Sequence, residues 1–329
     1  MTSAMLRNGG TRLAQSALVI WIALTLNFAL PRLAPGDPLG YLFGPDVNTL
    51  TPAQRQQVLR ELRLDGSIPE QYAAYFTGIL RGDLGRSVRF HAPVIDVLAD
   101  RVPWTLLLLL PALFLKTIIG TILGALAAWR RGSGRDLGLL TGMLAIDSMP
   151  AFWTGMILIS IFAVRLGWLP SFGAMPLAAG GDPFTLALGV GQRMILPVVT
   201  ITLGTVGAVF LLTRASMLTT LGEDYVLMAQ AKGLPDRRVI FRHAFRNALL
   251  PVYTSVTLSL GVLASGVVVV ETVFSYPGLG RVIYEGVLAR DYPLLQGAFL
   301  LVTVGVVAGN LLADLTYPLL DPRVRAEGS

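Results

Sequence analysis

The chain has 329 residues, 53% of them apolar and only 14% charged, with a net charge of +6 carried by 24 Arg and 2 Lys. A typical soluble domain is about 25% charged, so this balance, with a mean hydropathy of +0.65, excludes a disordered chain and points to a membrane protein rather than a soluble enzyme. A basic soluble chain would suggest nucleic acid, but these arginines stand between apolar runs, where they orient loops at a membrane, and the absence of cysteine excludes disulfides, thiolate metal sites and a Cys nucleophile.

A spanning helix needs about 20 mostly apolar residues. The first run, Leu13 to Pro31, carries no charge. Arg7 and Arg12 precede it as they would a signal peptide, but the run is long for an h-region and "ALPRLAPGDP" has no clean small-x-small site, so it reads as an uncleaved anchor. The segment Arg32 to Arg101 then holds eight Arg and eight acids. Within it, Thr51-Pro52 with Gln54 reads as a capping box with Pro at the first helical position. Val58, Leu59 and Leu62 make a helical stripe that ends at Asp65-Gly66. Pro69 opens a second stripe of Tyr72, Tyr75, Phe76, Ile79 and Leu80. Two short amphipathic helices are expected here, against the membrane face or capping the bundle.

Five more runs follow. Val102 to Trp129 is interrupted by Lys116 and Leu137 to Val164 by Asp147. Met194 to Thr213, Ala248 to Val270 and Tyr292 to Ala313 are uncharged. The sequence therefore predicts an all-α integral membrane protein with six spans. The first acid is Asp37, so the N-terminal tail is purely basic. The loop after the second span carries Arg130, Arg131 and Arg135, and the tail carries Arg323 and Arg325. Basic segments stay inside, so both termini are expected in the cytoplasm and the neutral Arg32–Arg101 segment outside. The domain reading is 1–31 for the tail and first span, 32–101 for the external segment, 102–320 for a five-helix core and 321–329 for the cytoplasmic tail.

The loop between the fourth and fifth spans, 222–250, is the most informative stretch. It carries Arg214, Lys232, Arg237, Arg238, Arg242 and Arg246 in and beside it, against Glu223, Asp224 and Asp236. Asp224 is placed to cap a helix over Tyr225 to Lys232. Gly233 is placed to end it, with Leu234-Pro235 beyond, which requires a positive φ. Asp236 is placed to cap a second helix with Ile240, Phe241, Ala244, Phe245 and Ala248 on one face and Arg238, Arg242 and Arg246 on another. A basic helix resting on anionic lipid accounts for the second helix. It does not account for the small-residue first helix Ala229-Gln230-Ala231-Lys232-Gly233, whose backbone can be approached closely.

"DYVLMAQAKGL" followed by "HAFRNALLP" resembles the glutamate-alanine-alanine loop of ABC-importer permeases, in particular the dipeptide, oligopeptide and nickel branch. "RLAPGDP" (32–38), "GDLGRS" (82–87), "VETVFSYPGLGR" (270–281), "RDYPLLQG" (290–297) and "DLTYPLLDPRVR" (314–325) resemble that branch in order along nearly the whole chain. One departure is that the core of the loop motif reads Gln230-Ala231-Lys232, or Met228-Ala229-Gln230 earlier in the helix. The resemblance implies the type I ABC-importer permease fold in a bacterial inner membrane, forming a path for short peptides with a second, different permease. It further implies two cytoplasmic ATPase subunits that hold ATP and Mg, an extracytoplasmic solute-binding protein, and a loop that couples to the ATPases through Asp224, Tyr225, Ala229, Ala231, Lys232, Gly233, Leu234 and Pro235. Nickel complexes and other small solutes use permeases of the same pattern. No catalytic residue, metal ligand set or resident cofactor is expected, since no G-x-x-x-x-G-K-[ST] occurs and the two histidines, His91 and His243, are far apart.

Lys116, Asp147, Glu271 and Asp314 are the ionisable residues in or near the spans, and such groups face a bundle interior or water. Lys116 and Asp147 stand roughly 20 and 15 Å above the inner face at ~1.5 Å per residue. They are therefore expected either to pair, or to separate, Lys116 snorkelling and Asp147 bonding near Ser148 and the Pro150 kink. Glu271 is expected either to line the outer cavity or to be held in a structural hydrogen bond. An ion-driven transporter using these charges as a relay would show inverted repeats or paired broken helices, and neither is evident. A non-transporting scaffold would use the outer segment as a platform.

Overall fold

A computed structural model of the chain describes residues 2–33, 51–61, 65–176 and 182–320. Every extended element among the described residues is helical, apart from one isolated antiparallel bridge between Arg86 and Pro93. The helices are α1 Thr2–Leu33, α2 Pro52–Glu61, α3 Ile68–Leu80, α4 Val94–Trp129, α5 Gly134–Asp147, α6 Ala151–Leu158 with a π-helical extension Ile159–Arg165, and α7 Pro183–Leu221. After these come α8 Asp224–Ala231, the short α9 Asp236–Arg238 with a π-turn Val239–Ala244, α10 Phe245–Val273, α11 Leu279–Ala289 and α12 Tyr292–Leu320. The chain divides into two compact units, Met1–Trp104 with Gly278–Val307, and Thr105–Pro277 with Ala308–Ser329.

Three described helices are long and apolar enough to cross a membrane: Val94–Trp129, Pro183–Leu221 and Tyr292–Leu312. The expected third span, Leu137 to Val164, is a pair of helices bent by 97° between Asp147 and Ala151. Pro150 causes the break, because it lacks an N–H and restricts the residue before it. At the end of α5 both the backbone N–H and the hydroxyl of Ser148 donate to Leu144 O, at 3.0 and 2.7 Å. The apolar part of α1, Ala14–Ala29, is shorter. The expected fifth span lies within α10, of which the side chains of 257–266 are outside the described set.

In the first unit, Val94, Val97, Leu98, Leu279, Val282, Leu294 and Ala298 form the core. The capping box at α2 is present: Thr51 N donates to Gln54 Oε1 at 2.9 Å and Gln54 N to Thr51 Oγ1 at 3.3 Å. A second reciprocal box, missed in the sequence, opens α3, where Ser67 N donates to Glu70 Oε2 at 2.8 Å. That bond holds the Glu70 carboxyl below its usual range. The aromatic stripe of α3 packs on α1: Phe28 meets Tyr72 at 5.2 Å and Tyr75 at 5.6 Å. Burial pushes the Tyr75 phenol up to about 12. Arg32 lies 3.6 Å over the Phe28 ring and donates twice to Gln71 Oε1, at 3.0 and 2.8 Å. Leu80 departs from the expected stripe and is exposed.

The motifs "GDLGRS" and "RDYPLLQG" meet in this unit. Asp291 is fully buried and accepts from Ser87 Oγ at 2.5 Å, Arg89 N at 3.0 Å and Leu294 N at 3.2 Å. A buried carboxylate needs several donors, and here they come from residues about two hundred positions apart. Gly297 lets α12 cross α4 closely, since a Cβ there would sit 2.5 Å from Val94.

In the second unit α7 is the central helix and packs most extensively on α10. Gly120 and Gly124 of α4 face Val209, Phe210 and Thr213 of α7, at distances where a Cβ would fall 2.6–2.8 Å from the neighbouring atoms. Asp136 and Arg214 make a bidentate pair, with Nε to Oδ1 and Nη2 to Oδ2 both 2.8 Å. Gly132 N donates to the same carboxylate at 3.0 Å.

Candidate functional site

The loop from Gly222 begins with α8. Its N-cap is Glu223, which makes no side-chain cap bond. Asp224, expected as the cap, instead stands in the first turn, where its charge favours the positive end of the helix. Likewise Pro235 precedes the next helix and Asp236 is its first residue, not its cap.

One face of α8 is buried and one is bare. Val226 and Ala229 pack into a cluster with Ala125, Ala128, Met217, Val239, Ala244 and Ala248. Alanines on the facing helices leave room for this close approach. Tyr225, Leu227 and Met228 are exposed, Met228 by 60%. Asn247 Nδ2 donates to Tyr225 Oη at 2.7 Å and ties the loop helix to α10.

The turn at Gly233 is a Schellman motif. Gly233 N donates to Gln230 O at 2.9 Å and Leu234 N to Ala229 O at 3.4 Å. Gly233 has φ +71°, as its position predicts. A Cβ there would meet nothing within 4 Å, so the requirement for glycine is conformational, not steric. Leu234 turns back onto the alanine cluster, the apolar contact that accompanies this motif.

The second helix differs from expectation. It contains a π-turn over Val239–Ala244 and runs on into α10 through Pro251. The wider turn rotates the buried face: Val239, not named in the sequence reading, is fully buried, while Phe241, expected inside, is 59% exposed. Ala244 and Ala248 are buried, with Ile240 and Phe245 packed partly against them. Arg238, Arg242 and Arg246 are exposed as expected and, with Pro235 and Phe241, line an open groove.

The intramembrane residues lie as follows. Lys116 is only 4% exposed, so its ammonium lies within the fold. Asp147 is exposed at the bend after α5, against Gly207 of α7, where a Cβ would meet its carboxylate at 2.8 Å. Among the described residues no ion pair joins the two. Glu271 is fully buried and accepts from Thr105 Oγ1 at 2.6 Å, the structural arrangement rather than a cavity-lining one. The side chains of Asp314 and His243 lie outside the described set, as do residues 34–38 of "RLAPGDP" and the end of "DLTYPLLDPRVR". Sequence reasoning missed Asp136–Arg214 and Asp291. The signal for the first was Arg214 directly after an uncharged run; Asp291 left no local signal. No group of three or more His, Cys, Asp or Glu able to hold a metal occurs among the described residues.

Residues 120–326 match the family described as "Binding-protein-dependent transport system inner membrane component". The chain belongs to this family. It is 39% identical over 316 residues to the di/tripeptide transport system permease protein DppB of Pseudomonas aeruginosa, covering 91% of this chain and 93% of that one. It is 38% identical to the dipeptide transport system permease protein DppB of Escherichia coli (93% and 95% covered) and 37% to a probable peptide ABC transporter permease protein, y4tP, of Sinorhizobium fredii (95% and 97%). The resemblance to the peptide branch is thus borne out. A permease chain from inward-facing structures of the MetNI methionine ABC transporter shares the fold, with a TM-score of 0.56 at 16% identity over 68% of this chain and 96% of that one. The family match contains the whole Gly222–Pro251 loop and α7 to α12, and begins inside α4.

Proposed function

We propose that this chain is one permease subunit of an ATP-driven importer in a bacterial cytoplasmic membrane. It forms, with a second and different permease, the path for short peptides delivered by an external binding protein. The peptide substrate is taken from the relatives, which are peptide and dipeptide permeases over more than nine-tenths of this chain. In this reading there are six spans, both termini are cytoplasmic, and ATP is hydrolysed on two separate ATPase subunits. The membrane division is 1–31, an external 32–101, a core of 102–320 and a tail of 321–329.

The observation that carries the coupling role is the two-faced α8. Val226 and Ala229 lock it to α4, α7 and α10, while Tyr225, Leu227 and Met228 present an apolar surface with no described cover. A bare apolar face on a helix fixed by its other face is what a docking element needs. Lys232, Ala231 and the Gly233–Pro235 turn bring the backbone to the same surface. A push on α8 reaches the helices through the alanine cluster and through the Asn247–Tyr225 bond. The Asp136–Arg214 pair and the Gly120–Gly124 crossing make α4, α5 and α7 respond together. Such a packed body moves as a unit and does not bend, which is how ATPase closure would rock the permease.

The test uses the whole complex in proteoliposomes. Gly233→Val should leave the permease inserted, reduce ATPase co-purification and remove the stimulation of hydrolysis by loaded binding protein. Parent-level values of both would reject the coupling role. Topology is read separately, since the chain has no native Cys: a Cys at Gln71 should label in intact spheroplasts and one at Gln230 only after permeabilisation.

A further inference from the structure

The groove beside α8 shares only Pro235 with the proposed coupling residues. Its lining is Pro235, Arg238, Phe241, Arg242 and Arg246. The three arginines are exposed, and among the described residues none has a carboxylate within ion-pair distance. Asp224 and Asp236, the nearby acids of the loop, form no described pair with them either. Three unneutralised guanidiniums in one groove repel each other unless an anion sits between them.

The π-turn creates the arrangement. In an α-helix every fourth residue falls a little beyond a full turn. In a π-turn, which closes five residues on, it falls a little short. The step from Arg238 to Arg242 lies in the π-turn and falls a little short of a full turn, and the step from Arg242 to Arg246 straddles its end, so the three side chains stay on one side of the helix and line one groove. The same turn rotates Phe241 outward beside them.

We infer that this groove binds the phosphate headgroup of an anionic phospholipid of the inner leaflet. The inference rests on the cytoplasmic placement of the loop. Arg246 stands two residues before Ala248, where the apolar run into the membrane begins, so one end of the groove is at headgroup level. Arg fits a phosphate diester by paired N–H donors. Phe241, apolar and exposed, suits the boundary between headgroup and acyl chain better than open water. An acidic protein partner would satisfy the arginines but give no reason for the groove to reach the start of the span.

The experiment is native mass spectrometry and lipid titration of the purified permease–ATPase complex. Phosphatidylglycerol should bind well above phosphatidylcholine. Arg238→Gln, Arg242→Gln and Arg246→Gln together should weaken phosphatidylglycerol about a hundredfold, on the scale of polybasic membrane contacts. ATPase co-purification should be unchanged. Arg246→Gln alone should cost more than Arg238→Gln alone. The triple Arg→Lys variant should keep part of the affinity, which controls for folding, since these side chains are exposed. Equal binding of the two lipids overturns the inference, as does undiminished binding by the triple Gln variant. Loss of the ATPases with the lipid retained would assign the arginines to the ATPase contact instead. Saturation by inorganic phosphate in lipid-free detergent would make the occupant a free anion. The Gly233→Val outcome is independent, so failure of the coupling role and failure of this site are read apart.

Discussion

Two loops of this protein are held in opposite ways. The Gly82–Pro93 loop of the first unit is fastened by one buried carboxylate, Asp291, which takes donors from Ser87, Arg89 and Leu294. The Gly222–Pro235 loop of the second unit is fastened by small apolar side chains, with Val226 and Ala229 pressed into an alanine-rich cluster. The polar fastening is directional, so it fixes a loop of irregular backbone through bonds of set geometry, with the Arg86–Pro93 bridge and the Arg89–Glu285 pair supporting Asp291. The apolar one is spread over several helices and leaves one helix face bare. The coupling role proposed above suits the second, because a packed cluster spreads a push over several contacts besides the single Asn247–Tyr225 bond.

The contrast can be broken at its polar end first. Asp291→Ala should cost roughly 3 kcal/mol, because the buried Ser87 Oγ and Leu294 N–H and the part-buried Arg89 N–H all lose their acceptor. Thermal unfolding of the purified complex measures it. A loss below about 1 kcal/mol would mean that water replaces the carboxylate and that the loop is not held there.

The apolar end should fail more gradually. Ala229→Leu overpacks the cluster and should cost about 2 kcal/mol, seen as a lower unfolding temperature together with weaker ATPase retention. Unchanged stability would show that α8 can lift from the cluster, against the rigid attachment described above.

Gly233 separates strain from bulk. With nothing within 4 Å of a Cβ, Gly233→Val should cost on the order of 1–2 kcal/mol from its positive φ alone. Gly233→Asn, which tolerates that conformation, should stay near the parent. Equal losses for Val and Asn in unfolding and in coupled hydrolysis would mean that size, not backbone, matters at the turn.

The smallest stability effect belongs to the bare face. Met228→Ser should stay within about 0.5 kcal/mol of the parent, yet lower ATPase affinity several-fold in a titration of ATPase against detergent-solubilised permease. A stability loss with unchanged affinity would place Met228 in the fold rather than at the docking surface.

Local chemistry made part of this protein readable. Three of the apolar runs lie in helices long enough to cross a membrane, as their length and composition require. Thr51 and Gln54 are three residues apart, so their box needs no partner from elsewhere. Gly233 before Leu234-Pro235 demanded a left-handed turn, and it has one. The family resemblance rested on the same kind of short, ordered motif. What could not be read depends on residues far apart or on a break in periodicity. Asp136 with Arg214, and Ser87 with Asp291, are joined only when helices cross. Lys116 and Asp147, which have compatible heights, are not joined among the described residues, because height along two helices says nothing of which sides face each other. The π-turn at Val239–Ala244 exchanged Val239 for Phe241 on the buried face, since a pattern read at 3.6 residues per turn misplaces side chains where the turn widens. Sequence determined most of the helical segments and the turn at Gly233, because those choices are made within a few residues, although the helix Leu279–Ala289 was not foreseen. Tertiary packing alone decided which charges meet and which faces stay bare, because both depend on what a neighbouring helix brings.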